Sequence, residues 1–123
     1  MVMLDDELVN RSYGASLAVL MKVVPYLPED DEVGAKLMHR AKAIPQLIAS
    51  CGGDHVSLHH KQRALGEAVQ FCREAIVQLS YCRDLHGRFI NGALLAELMK
   101  TYRSVGDDLS RAIVKPADEE GVS

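Results

Sequence analysis

Cys51, His55 and His59 stand four residues apart, the spacing that sets side chains on one helix face, and thiolate with imidazole is a ligand set suited to zinc. Gly52-Gly53 breaks a helix between the first two, and a fourth ligand would have to come from Asp54 or His60. Exposed turn histidines are therefore the expectation, with no metal and no cofactor. Cys72 and Cys82 fall on apolar stripes, where a thiol behaves as an inert small hydrophobe rather than a nucleophile. The chain contains no Glu-x-x-His pair, P-loop, dinucleotide fingerprint or H-E-x-x-H. The sequence does not point to an enzyme.

Phosphate recognition is the chemistry that remains. Residues 1 to 32 carry two basic and seven acidic groups, residues 33 to 66 five and one, and residues 67 to 123 seven and nine. Lys36, Arg40 and Lys42, with Lys61, Arg63 and the histidines His39, His55, His59 and His60, make the middle third a candidate nucleic-acid-binding patch. Two observations oppose it. Arg63 and Glu67, like Glu32 and Lys36, have the i,i+4 spacing of local ion pairs. The whole chain has a formal charge of −3, and its aromatic content of 5% leaves little to stack on bases.

The elements that must position these groups are helical. A chain of 123 residues, 48% hydrophobic and 25% charged, has the size and composition of one soluble globular domain. Its breakers, Pro25 and Pro28, Gly52-Gly53, and Gly87 to Gly92, leave four long segments. The first, Asp5 to Tyr26, carries Val9, Tyr13, Leu20, Val24 and Leu27 as an apolar stripe. The second starts in the acidic run Glu29 to Glu32 and aligns Leu37, Ala41, Ile44, Ile48 and Cys51, with a kink expected at Pro45. In the fourth, from Gly92 to Val114, Asn91 is the expected N-cap and Leu95, Leu98, Tyr102, Val105, Leu109 and Ala112 the seam. Tyr13, Tyr26, Tyr81 and Tyr102 are expected to cap the core with their hydroxyls outward.

The third segment, Ser57 to Asp84, has a seam of Leu58, Leu65, Val69, Cys72, Ile76 and Leu79 and a second stripe of Ala64, Ala68, Phe71, Ala75 and Cys82. At about 100° per residue the two together span roughly 160°, wider than one packed face requires. The excess can meet two helices of the same chain or a second subunit. The latter makes Ala64, Ala68, Phe71 and Ala75 a candidate oligomer interface. No sheet is expected, and short connections favour an all-α, antiparallel up-down-up-down four-helix bundle over residues 1 to 114, followed by an acidic disordered tail, 115 to 123, after Pro116 ends the last helix. The acidic N-terminus MVMLDDELVN and the short apolar run Leu17 to Met21 suit neither a secretory signal nor a membrane span, so a cytoplasmic protein without a membrane partner is expected.

Pro28 before an acidic group, the stretch RAKAIPQLIASCGG with Ile44-Pro45 and Ile48-Ala49, and a turn into KQRALGEA together resemble a known family. It comprises the four-helix-bundle proteins encoded in intervening sequences of bacterial 23S rRNA genes and the related accessory proteins of diversity-generating retroelements. Leu47, Ser50 and Cys51 stand where the first group has Asn, Glu and Gly, and Gln70-Phe71 where the family has Gly-Ser. Leu47-Ile48-Ala49 and Cys82-Arg83-Asp84-Leu85 look closer to the accessory proteins. The resemblance implies a homopentamer without catalytic chemistry, which in the accessory proteins contacts RNA or DNA and a reverse transcriptase. The alternative is a structural homo-oligomer that binds another protein and no nucleic acid.

Overall fold

A computed structural model describes residues 6–51 and 57–122, with side chains as far as residue 113. Four helices and no strand occur among the described residues. Helix α1 is Asp6–Ala18 and continues through a π-helical turn, Val19–Val23, and a 3₁₀ turn, Val24–Tyr26. Helix α2 is Glu32–Ser50, α3 is Leu58–His86 and α4 is Gly92–Val122. Consecutive helices pack on one another and α1 closes against α4, giving a helical bundle around one core.

Local chemistry accounts for the helix starts. Asp31 caps α2 by accepting from the Val33 N–H at 3.0 Å, Ser57 caps α3 by accepting from the His60 N–H at 3.1 Å, and Asn91 caps α4 by accepting from the Ala93 N–H at 2.9 Å. Each side chain satisfies a donor that the first turn leaves without a carbonyl partner. Pro45 lies inside α2 without ending it. Helix α4 likewise runs past Pro116 to Val122, where the sequence led us to expect an end; a proline removes one helical N–H but does not oblige the chain to turn. The helix thus covers 115–122 of the stretch expected to be a disordered tail, while the side chains of 114–123 lie outside the described residues.

Packing follows most of the expected stripe positions in α2, α3 and α4, with Leu58 exposed and Phe71, Ile76 and Ala112 half-buried, and departs from them in α1. Leu37, Ala41, Ile44, Ile48 and Cys51 of α2 are buried, as are Leu95, Leu98, Tyr102, Val105 and Leu109 of α4. In α1 the buried line is Leu8, Ser12, Ala15, Ser16, Val19 and Val23, while Tyr13 is exposed and Val9 and Leu20 are half-buried. Two serines disguise this face. Ser12 Oγ donates to the Val9 carbonyl at 2.9 Å, and Ser16 Oγ shares a 3.0 Å hydrogen bond with the Tyr102 hydroxyl, so both are buried without an unmet polar group. The π-turn adds a further shift, because its longer repeat rotates the residues after Ala18 relative to an α-helical register.

Tyr102 is fully buried, which corrects the expectation of an outward hydroxyl. Burial pushes its phenol up to about 12, so it remains a neutral partner for Ser16 at any ordinary pH.

Candidate functional site

Ala64, Ala68 and Ala75 are buried within the single chain, so the breadth of the α3 apolar arc is taken up by α2 and α4. Of the four residues expected at a subunit interface, only Phe71 retains partial exposure. The reason is geometric. A helix between two neighbours needs two adjoining apolar stripes, and small residues let both approach closely.

The five candidate phosphate-binding cations do not form one patch. Lys36 and Arg40 line a groove between α2 and α3, Lys42 lines the groove between α1 and α2, and Arg63 is exposed on α3. Lys61 is half-buried at the start of α3, where its carbonyl lies 3.6 Å from Cys51 Sγ. Arg40 is already engaged: Nε donates to Glu74 Oε2 at 2.5 Å, Nη1 lies 2.7 Å from His39 Nδ1, and the guanidinium sits 4.7 Å from the centre of the Phe71 ring. That arrangement combines an ion pair with a cation–π contact and uses up the guanidinium as a structural tie. The expected local pairs Arg63–Glu67 and Glu32–Lys36 are not formed among the described residues. Lys36 therefore stands in the α2/α3 groove without an ion pair among the described residues, together with Arg73, a cation that the expected patch did not include.

The thiols are not poised for chemistry. Burial raises Cys72 to about 12, and burial with the nearby Asp31 carboxylate raises Cys82 to about 11, so both are protonated near neutrality. Cys51 is raised as well, mainly by burial, and its Sγ donates to the Leu47 carbonyl at 3.2 Å. It links the end of α2 to the start of α3 rather than offering a thiolate. His55 and Asp54 of the possible zinc set lie outside the described residues, and His59 is exposed. No group of three or more His, Cys, Asp or Glu able to hold a metal occurs among the described residues.

Two further polar ties join distant segments. Asp31 uses Oδ1 to cap α2 and Oδ2 to meet His86 Nε2 at 2.9 Å, fastening the end of α3 to the start of α2. Arg11 donates to Ser104 Oγ at 2.9 Å and to Asp108 Oδ2 at 2.6 Å, fastening α1 to α4. The hydrogen bond from Arg11, helped by Arg111, lowers the Asp108 carboxyl below its ordinary value against a smaller desolvation effect. Neither tie was legible in the sequence, because their partners are 55 and 97 positions apart.

Several large apolar side chains are also left uncovered. Tyr13 (54% exposed) and Leu17 on α1 and Met21 (69%) in the π-helical turn follow at i, i+4, i+8, as do Val77, Tyr81 and Leu85 (65%) on α3. Beside the first stripe, Val9, Leu20, Pro45 and Ala49 help form a groove of about 430 Å³ between α1 and α2. Sequence reasoning missed both stripes. Their four-residue repeats were the available signal, hidden in α1 by its serine-containing core face and in α3 by two stronger stripes.

Comparison with protein-family models, curated proteins and solved structures finds no match to this chain. No helix among the described residues is long and apolar enough to cross a membrane.

Proposed function

We propose that this chain is a non-catalytic scaffold that assembles with copies of itself and works through protein contacts. The observation that carries this reading is the pair of exposed apolar stripes, Tyr13-Leu17-Met21 and Val77-Tyr81-Leu85. Large apolar side chains in a contiguous row cost solubility unless a partner covers them. The up-down-up-down arrangement is supported by the order of cross-helix pairs: Arg11 with Asp108 and Ser16 with Tyr102, then Asp31 with His86 and Arg40 with Glu74, then Cys72 with Gly106 and Ser80 with Met99. In each set, moving forward along one helix moves backward along its neighbour. Buried free cysteines and the expected lack of a membrane span suit a cytoplasmic setting. By the family resemblance the assembly is a ring of five, and the protein partner a reverse-transcriptase-like enzyme.

A second reading, contact with RNA or DNA, is favoured by Lys36 and Arg73, which share the α2/α3 groove without an ion-pair partner among the described residues. One pair of measurements separates the two: native mass by light scattering, and fluorescence anisotropy of labelled single-stranded RNA and duplex DNA at low and near-physiological salt. The scaffold reading expects a mass above the 13.5 kDa chain and no nucleic-acid binding. Binding that weakens steeply with salt and is lost in Lys36→Glu with Arg73→Glu would establish the nucleic-acid reading instead.

A further inference from the structure

At one end of the bundle two short connections meet, and the hydrogen bond of 2.9 Å between His86 Nε2 and Asp31 Oδ2 ties them together. The first carries Tyr26 in the 3₁₀ turn, where Pro25 starts the turn and the Leu27 N–H closes it by donating to the Val24 carbonyl at 3.0 Å. The second carries Phe89 between α3 and α4, and the Phe89 N–H donates to the His86 carbonyl at 3.0 Å. Tyr26 is 59% exposed and Phe89 69%, yet both line one cavity of about 420 Å³. Among the described residues neither ring stacks on the other and neither lies against a cation. Two aromatic side chains held on hydrogen-bonded turns thus border a shared space.

The remaining walls of that space select by polarity. Buried Ile90 and half-buried Leu94 add apolar surface. Lys22 adds an ammonium group that has no ion-pair partner among the described residues. The Glu97 carboxylate lines an adjoining cavity with Lys22 and not this one. Asn91 is oriented by its cap: Oδ1 accepts from the Ala93 N–H at 2.9 Å and the Leu94 N–H at 3.3 Å, which leaves the amide nitrogen as the end that can donate elsewhere. Neither Asp nor Glu lines the cavity. Its charge is therefore positive, and an anion is the complement.

We propose that this cavity binds a small planar aromatic anion, with the ring against Tyr26 and Phe89 and the anionic group on Lys22 and Asn91. The volume is in the range of small-molecule sites, and a ring of one or two cycles with one acidic group fits within it. Aromatic side chains on closed turns lose little freedom when a ligand arrives, so their stacking is not offset by ordering. None of the six residues of the exposed stripes takes part, so the inference stands whether or not the chain assembles with itself.

Naphthoate is the probe, titrated into the full chain and followed by amide NMR shifts. Naphthalenemethanol keeps the rings without the charge, and cyclohexanecarboxylate keeps the charge without an aromatic ring. Saturable shifts are expected at Lys22, Tyr26 and from Arg88 to Leu94, with naphthoate binding about tenfold more tightly than either control. Phe89→Leu keeps an apolar side chain and removes the ring, and should weaken naphthoate about fivefold. Lys22→Met should make naphthoate and naphthalenemethanol bind alike. Both residues are exposed, and the amide spectrum of each variant shows that its fold is kept; Tyr26→Leu replaces Phe89→Leu if that variant fails to fold. The inference is overturned if no saturable shift appears up to the solubility limit of naphthoate, or if the shifts fall around Pro45 in the α1/α2 groove instead. It is equally overturned if cyclohexanecarboxylate binds as well as naphthoate, or if either folded variant binds naphthoate as the wild type does.

Discussion

The two sides of α2 are built on different principles. Its buried Leu37, Ala41, Ile44 and Ile48 belong to the common core, and towards α3 it adds two cross-helix ties, Arg40 with Glu74 and Asp31 with His86. Against α1 it has no cross-helix side-chain hydrogen bond or ion pair among the described residues, and an apolar groove of about 430 Å³ stays open. Polar ties hold α1 to α4 instead, through Arg11, Ser16, Tyr102, Ser104 and Asp108. One side of α2 is thus tied by polar contacts, whereas the groove on the other is lined mainly by apolar residues and crossed by none. Stability and assembly should therefore respond to different substitutions.

The largest effect is expected on the closed side. Ala68→Arg places a charge at a fully buried position in the crowded heart of α3 and should cost about 4 kcal/mol or abolish folding, read by urea unfolding. A variant of wild-type stability would mean that this stripe is not core at all. Arg40→Ala is expected to lose about 1–2 kcal/mol, because the ion pair with Glu74 and the contact over Phe71 go together. A loss of that size would also show why Arg40 is a poor probe of nucleic-acid binding, since changing it disturbs the fold first.

On the α1–α4 seam, Tyr102→Phe leaves the buried Ser16 hydroxyl without its partner and should cost about 1–2 kcal/mol by thermal or urea unfolding. Asp108 gives that seam a pH signature. Its folded carboxyl titrates below the unfolded value, so its contribution is present at neutral pH and is lost as pH falls through the lowered folded value, below the ordinary 3.8. Asp108→Asn should flatten that acid limb while changing neutral stability by no more than about 1 kcal/mol, since the pair is partly solvated. An unchanged acid limb would remove Asp108 from the account. The smallest stability change, within about 0.5 kcal/mol, is expected for Leu17→Asp on the open side, where a surface position alters association and not folding.

The legibility of the chain divides along the same line. The stripes of α2 and α4, the cap at Asn91 and the twin stripes of α3 beyond Leu58 follow from local pattern, and so they could be read in sequence. The core face of α1 could not, because Ser12 and Ser16 look polar until a carbonyl three residues back and a tyrosine hydroxyl 86 positions away satisfy them. The basic segment is divided between grooves for a related reason. Lys36 and Lys42 are six residues apart and therefore face different grooves, and Arg40 is claimed by a glutamate 34 positions along the chain. Burial and long-range pairing decide what a charged side chain is free to do, and neither is encoded in spacing.

The central claim is that the uncovered apolar stripes mark a protein that assembles with itself. Sedimentation equilibrium of the wild-type chain over a wide concentration range tests it most directly. The account predicts a single assembled species several times the 13.5 kDa chain mass, dissociating only on dilution. A mass of one chain at every concentration would contradict it.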